Sequence, residues 1–350
     1  MNKKIIIVSL TIILAIALVS AWIIYSKAFV NNVNLEAKAE KIIYLPTGGN
    51  IQNLYDTLEK YEILKNFSSF KLIADYKNLD KKYKPGRYVI TSNMSNNALV
   101  NMFAGGRQTP VKITFNNIRT REELAKRIGS QLECDEDSLL CLLNDEKTAN
   151  MYGLNKENIM VMFIPNTYEF YWNTNARQFI DRMHTEWEKF WNDERRKKAE
   201  KIGLLPIDIS ILASIVQGET TKTDEMDIIA GLYINRLKKG WKLEADPTVK
   251  FAVGDFSITR ILKKHLEFES PYNTYKNEGL PPGPINLPDV TTIDKVLNYK
   301  EHNYMFMCAK DDLSGYHNFA VTNSQHEKNA AKYHAAYREW ERKKKAKGGK

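Results

Sequence analysis

Glu219 closes the run Ala213-Ser214-Ile215-Val216-Gln217-Gly218-Glu219-Thr220, and counting back three, four and seven residues gives Val216, Ile215 and Leu212. Helical spacing therefore puts one carboxylate on the same face as three aliphatic side chains. A carboxyl group held there is poorly solvated, which disfavours its charged form and raises its pKa. A carboxyl that keeps its proton near neutrality can serve as a general acid. The spacing also fits a helix-end glutamate that reaches solvent or caps the next segment, and the residues alone leave both open.

Other chemistry-bearing residues are scattered. Cys134, Cys141 and Cys308 lack metal-ligand spacing, and their odd number argues against a disulfide scaffold. A Cys134–Cys141 bridge is conceivable in an oxidising compartment. Within one straight helix, however, seven residues would hold the two ~10 Å apart, too far to bond. Structural thiols and no metal site are expected. His317, in Gly315-Tyr316-His317-Asn318-Phe319, and His326, in Asn323-Ser324-Gln325-His326, could act as bases. No serine or cysteine nucleophile motif accompanies them, so hydrogen bonding to loops is their default role.

Four later segments follow Glu219 in a fixed order: Ile234-Asn235-Arg236-Leu237, Ala245-Asp246-Pro247-Thr248-Val249, Tyr272-Asn273-Thr274-Tyr275 and Gly279-Leu280-Pro281-Pro282-Gly283-Pro284-Ile285. Together with the stretch ending at Glu219, they resemble the MltG (YceG-like) family of endolytic murein transglycosylases over nearly the whole chain beyond the first helix. Two departures are visible. Relatives often carry Glu where this chain has Gln217, so Glu219 is the carboxylate left in the stretch. The segment Phe163-Ile164-Pro165-Asn166-Thr167-Tyr168-Glu169-Phe170 resembles the family's Pro-Asp-Thr-Tyr element with Asn166 in the usual Asp position. That removes a charge and leaves Thr167 and Tyr168 as site wall or core.

The resemblance implies an α+β protein with an N-terminal transmembrane helix, a small LysM-like βααβ subdomain and a lysozyme-like YceG catalytic domain. The corresponding ranges are an anchor over 1–26, a linker over 27–40, the LysM-like subdomain over 41–108, the catalytic domain over 109–341 and a basic tail over 342–350. It also implies an endolytic lytic transglycosylase that cuts the MurNAc–GlcNAc bond of nascent glycan strands, leaves 1,6-anhydro-MurNAc ends and terminates elongation. In that reaction Glu219 protonates the glycosidic oxygen. As carboxylate it then takes the proton of the muramic C6 hydroxyl while the anhydro ring closes. Substrate binding falls to Asn235, Asp246, Thr248, Asn273, Tyr275, His317 and Asn318, with no cofactor and no metal. The implied partners are peptidoglycan strands, cell-wall synthases (penicillin-binding proteins) and the membrane, and not nucleic acid. Two alternatives stay open. Ordinary glycosidases use two carboxylates, so a muramidase could pair Glu219 as acid with Asp246. In a non-catalytic peptidoglycan-binding or divisome scaffold protein, Glu219 would be structural.

The elements that must position these residues are partly legible. The chain has 350 residues and a formal net charge of +9, long enough for a membrane anchor and two or more folded units. Ile5 to Ser26 contains no charged side chain and is long enough to span a bilayer as a helix. Lys3 and Lys4 precede it, which keeps the N-terminus cytoplasmic and places the catalytic domain outside the cell (inner) membrane, with Trp22 and Tyr25 at the outer interface. A signal peptide cleaved near Val19-Ser20-Ala21 is the alternative, but apolar sequence continues through Ile23 and Ile24. An extracytoplasmic body directs the basic balance toward cell-wall polymer.

Strand Ile42–Leu45, a helix capped by Asn50 with Ile51, Leu54, Tyr55 and Leu58 on one face, a helix near Phe67–Lys77 and strand Arg87–Ile90 give the order strand, helix, helix, strand. Its role is either glycan binding or spacing. Thr120 and Glu123 form a capping box ahead of Leu124, Ile128 and Leu132. Phe179, Met183, Trp187, Phe190 and Trp191 recur at helical spacing, a pattern that marks core more often than a sugar platform, along a helix ending in the solvated basic run Arg195–Lys198. A helix from about Asp224 to Lys239, stopped at Gly240, turns Ile228, Leu232 and Asn235 to one side, so that Asn235 faces the site. Asp246-Pro247-Thr248 reads as a turn, and the segments at Tyr272–Tyr275 and Gly279–Pro284 read as rigid loops that line a groove or simply turn the chain. Buried strands are expected at Tyr304–Cys308 and Gly315–Phe319, and the tail from Arg342 reads as disordered.

Overall fold

The computed structural model describes residues 3–348, which form a mixed α and β structure. The chain divides into two compact units, one of Met1–Ile113, Gln131–Cys134 and Tyr168–Asn175, the other of Thr114–Ser130, Asp135–Thr167 and Ala176–Lys350.

The first unit begins with α1 (Lys3–Phe29), followed by β1 (Glu40–Leu45), α2 (Ile51–Lys60), α3 (Phe67–Tyr76), a short α4 (Leu79–Lys82), β2 (Gly86–Thr91) and α5 (Asn96–Gly105). Within Lys4–Phe29 an 18-residue stretch reaches a mean hydropathy of 2.7 and is unburied, which makes α1 long and apolar enough to cross a membrane. β1 and β2 pair antiparallel from Glu40 opposite Thr91 to Leu45 opposite Gly86. Alternation along the pair turns Ile43, Leu45, Tyr88 and Ile90 inward, where they meet Leu54, Leu58, Phe70, Leu99 and Phe103. Asn50 caps α2 by accepting from the Gln52 amide, while Asn53 Oδ1 accepts from the Asn50 amide.

β3 (Val111–Phe115) and β4 (Asn166–Phe170) pair with each other. The second unit is mainly helical: α6 (Arg121–Gly129), α7 (Glu136–Asn144), α8 (Glu146–Asn150), α9 (Ala176–Phe190), α10 (Asp193–Ile202), α11 (Pro206–Glu219), α12 (Met226–Lys238), α13 (Asp246–Val253), α14 (Lys263–Leu266) and α15 (Val290–Leu297). The antiparallel hairpin β5 (Phe306–Ala309) and β6 (His317–Ala320) precedes the terminal α16 (Asn323–Gly348).

α11 is the axis of this unit. Pro206 pre-sets its first turn, and the Asp208 carboxylate accepts from the Leu205 amide. Every residue from Ile209 to Val216 is buried, so the aliphatic face expected from spacing is instead a helix enclosed on all sides. α12, α13 and α15 surround its C-terminal end.

Several local expectations need correction. Thr120 does accept from the Glu123 amide, but the Glu123 carboxylate accepts from Arg119 rather than closing a box on Thr120. The basic run Arg195–Lys198 lies in a separate helix, α10, capped by Asn192. Arg195 is bidentate to Asp294 and Arg196 pairs with Glu188, so the run is partly spent on packing. Asp246-Pro247 opens α13 because proline suits the first helical turn. The hairpin strands are half-buried and begin two residues later than expected. The tail continues α16 through Gly348, since its Lys, Arg and Ala residues favour helix and no proline interrupts them; Gly349 and Lys350 lie outside the described residues.

Candidate active site

Glu219 is the last residue of α11, half-buried, with its carboxyl at the junction of two cavities. The larger, a groove of about 1020 Å³, is lined by Glu219, Asp246, Lys250, Arg119, Arg260 and Asn286. The smaller, about 220 Å³, holds Tyr233, Arg236, Tyr275, Cys308 and His317 beside Glu219 and Asp246. Burial pushes the Glu219 carboxyl up from the ordinary 4.5 to about 7. The hydrogen bond from Tyr233 opposes that rise, the Asp246 charge adds to it, and Arg236 and Lys250 oppose it.

Tyr233, buried in the middle of α12, donates from its hydroxyl to Glu219 Oε1 at 2.6 Å. Its own pKa is raised well above the usual value by burial and by the neighbouring Glu219. The phenol therefore stays protonated and acts as a donor. Arg236, one turn further on, is buried and donates to the carbonyls of Leu243 and Met305 and to the Glu244 carboxylate. It thereby ties the segment leading into α13 to the segment leading into β5.

Asp246 is set by its own chain of contacts. Tyr275 donates to Asp246 Oδ1 at 2.7 Å, and Thr248 and Thr274 share a buried hydroxyl contact of 2.8 Å. Thr274 also accepts from the Ala245 amide, so the start of α13 is clipped to the 272–275 loop. Gly218 lets α13 approach this closely: a Cβ there would stand 2.7 Å from Pro247 Cβ. Gln217 and Ser214 hold the opposite wall. Gln217 Oε1 accepts from the Asp289 amide and the Thr292 hydroxyl, and Ser214 binds both Ile285 and Asn286. The Gly279–Pro284 loop thus delivers its following residues onto α11.

The family model described as the YceG-like family matches residues 43–332. The chain belongs to the YceG-like family. Among its relatives, a Bacillus subtilis protein named endolytic murein transglycosylase is 26% identical over 89% of this chain and 89% of its own. A Streptococcus pneumoniae protein of the same name is 25% identical over 95% of this chain but 66% of its own, so it is the longer molecule. A crystal structure of a YceG-like protein from Listeria monocytogenes superposes with a TM-score of 0.55 at 26% identity, covering 83% of this chain and 98% of that one.

The YceG-like motif residues fall into two groups in this structure. Glu219, Asp246, Tyr275 and His317 line the cavities. His317 is held from behind by buried Glu225, which accepts from its backbone amide at 2.8 Å and lies 3.1 Å from Nδ1. Asn235, Thr248 and Asn273 are occupied with scaffold. Asn235 donates to the carbonyls of His302 and Tyr304, and Asn273 donates to those of Leu266 and Phe268. Asn318 reaches Asp311 across the hairpin turn. His326 stacks on Phe306. Asn166 is exposed and accepts from the Thr167 amide, Thr167 meets Thr114, and Tyr168 is buried.

Tyr233 is the functional candidate that sequence reasoning passed over. It immediately precedes the Ile234–Leu237 segment, but a tyrosine inside an apolar helix reads as core until α12 is laid against α11. Among the described residues no group of three His, Cys, Asp or Glu side chains could hold a metal ion.

Proposed function

We infer that this chain is an endolytic murein transglycosylase, a lyase that cuts peptidoglycan glycan strands. The observation that carries the reading is Glu219 itself. In a chain of the YceG-like family whose relatives bear that name, it is a carboxyl held near pKa 7 by burial and opening on a groove. Near neutrality such a group is present both as acid and as base.

The mechanism that follows uses one residue twice. Protonated Glu219 gives its proton to the glycosidic oxygen as the bond to the muramic C1 breaks. The carboxylate then accepts the proton of the C6 hydroxyl as that oxygen closes on C1, giving a 1,6-anhydro end. Tyr233, donating to Oε1, fixes the carboxyl rotamer and stabilises the carboxylate between the two transfers. Asp246, held by Tyr275, faces the same groove and orients sugar hydroxyls or supports the developing positive charge at C1.

The presence of Asp246 in the groove also favours a second reading, hydrolysis with Asp246 as the other carboxylate. Turnover of purified sacculi by the unmodified protein and by Glu219→Gln tests the shared premise. Release of soluble muropeptides by the former alone supports it, and equal release by both sinks it.

On the same footing, α1 crosses the membrane once, with Lys3 and Lys4 on the cytoplasmic side and the chain that follows α1 outside. The β1–α2–α3–β2 portion serves as a LysM-like module. Cell-wall synthases (penicillin-binding proteins) supply the nascent strand that the groove receives.

A further inference from the structure

α3 presents two large apolar side chains to solvent, Leu72 at 51% and Tyr76 at 83% exposure. Its buried residues are Phe70, Ile73 and Ala74, so Leu72 and Tyr76 lie to one side of the face that packs on the core. They share that side with Ser69, three and seven residues earlier.

Ser69 is tied to the end of α1. Asn96 Nδ2 donates both to the Lys27 carbonyl and to Ser69 Oγ, at 2.8 and 3.0 Å. The contacts before it run in a consistent direction. The Asn34 amide donates to the Ile63 carbonyl, the Lys65 amide to the Asn32 carbonyl, and Asn32 Nδ2 to the Asn66 carbonyl. Numbers rising from 63 to 69 thus map onto numbers falling from 34 to 27. α3 runs back along the chain toward α1, against which it packs. At about 1.5 Å per residue, Tyr76 lies ~10 Å beyond Ser69 in that direction, level with the part of α1 that carries Trp22 and Tyr25.

We propose that the Leu72–Tyr76 face of α3 is a membrane contact, seated in the headgroup and upper acyl region of the bilayer that α1 crosses. A leucine inserts its side chain, and a tyrosine places its ring below and its hydroxyl at the wet boundary. Charge points to the same occupant: residues 27–113 carry thirteen Lys and Arg against seven Asp and Glu, an excess that anionic lipid attracts. The contact rests on α1 being a membrane anchor, and it holds the first unit against the bilayer surface rather than letting it swing on a tether.

Photo-crosslinking of the full chain in liposomes of phosphatidylethanolamine and phosphatidylglycerol tests this. The photoreactive residue p-benzoylphenylalanine replaces Tyr76, or Leu14 inside α1, or Tyr61, an exposed aromatic next to the segment that meets Asn34. Lipid adducts at position 76 should form in yield comparable to position 14 and on the order of tenfold above position 61. Adducts at 14 with none at 76 overturn the contact and leave the anchor standing. Adducts at neither position remove the anchor and the proposal with it. Adducts of position 76 to a second copy of the chain, in place of lipid, also overturn it.

Discussion

The hydroxyl of Tyr233 and the carboxyl of Glu219 meet at 2.6 Å although they come from different helices, α12 and α11. The contact fixes the direction of the carboxyl and moderates the effect of burial on its pKa. Tyr233→Phe should therefore have two effects. Losing a hydrogen bond to a charged group costs about 1.5–3 kcal/mol, or roughly 10- to 100-fold in turnover. Because the bond favours the carboxylate, its loss raises the Glu219 pKa further, and the alkaline limb of the pH–rate profile should move to higher pH. A profile with an unmoved alkaline limb would remove Tyr233 from the acid's environment.

The raised pKa of Glu219 also makes stability depend on pH with a defined sign. Between 4.5 and about 7 the folded chain keeps a proton that the unfolded chain has released. The stability linked to this group is therefore fully present below the unfolded value and is lost as pH rises through the folded one. Glu219→Gln is uncharged throughout. It should match the unmodified protein at acid pH and exceed it at alkaline pH, by at most about 3 kcal/mol. Denaturant melts across that window check this, and parallel curves for the two proteins would contradict it.

Gly218 concerns geometry rather than protonation. The Cβ of Gly218→Ala would meet Pro247 Cβ at 2.7 Å, Pro247 Cγ at 3.0 Å and Ile285 Cδ1 at 3.6 Å, so the start of α13 must withdraw from α11. Overpacking of this kind costs about 1–3 kcal/mol of stability. Activity should fall further than stability, because Asp246 moves with α13. Full activity in a folded Gly218→Ala protein would mean that the position of Asp246 relative to Glu219 is unimportant.

Asp246 and Tyr275 should behave as a unit. Tyr275→Phe frees the carboxylate that Tyr275 now orients, and Asp246→Asn removes its charge. If Asp246 only positions sugar, each change gives a graded loss and the double variant is little worse than Asp246→Asn alone. If Asp246 is a hydrolytic base or nucleophile, Asp246→Asn by itself removes nearly all activity. Steady-state turnover of the three variants, with thermal melts alongside, separates the cases.

What the sequence made legible was local. The caps at Asn50 and Thr120, the uncharged stretch of α1 and the strand alternation at Ile42–Leu45 and Arg87–Ile90 depend on neighbours within a few residues. Glu219 was legible for the same reason, since its aliphatic surroundings begin on its own helix. Tyr233 was not, because its partner lies fourteen residues away on another helix and nothing in α12 alone distinguishes it from core. The motif asparagines illustrate the opposite case. Asn235 and Asn273 sit in recognisable segments, yet their amides are spent on backbone carbonyls, which only the folded loops reveal. The helix at Asp246 was hidden by its Pro, which signals a turn and a first helical turn equally well.

The most direct test of the one-acid mechanism is the mass of the muropeptides released from purified peptidoglycan by the unmodified protein and by Glu219→Gln. An anhydro end is lighter than a reducing end by one water. Ring closure by the C6 hydroxyl predicts anhydro-muramic ends from the unmodified protein and no released product from Glu219→Gln. Reducing muramic ends from the unmodified protein, or anhydro ends undiminished in the variant, would contradict it.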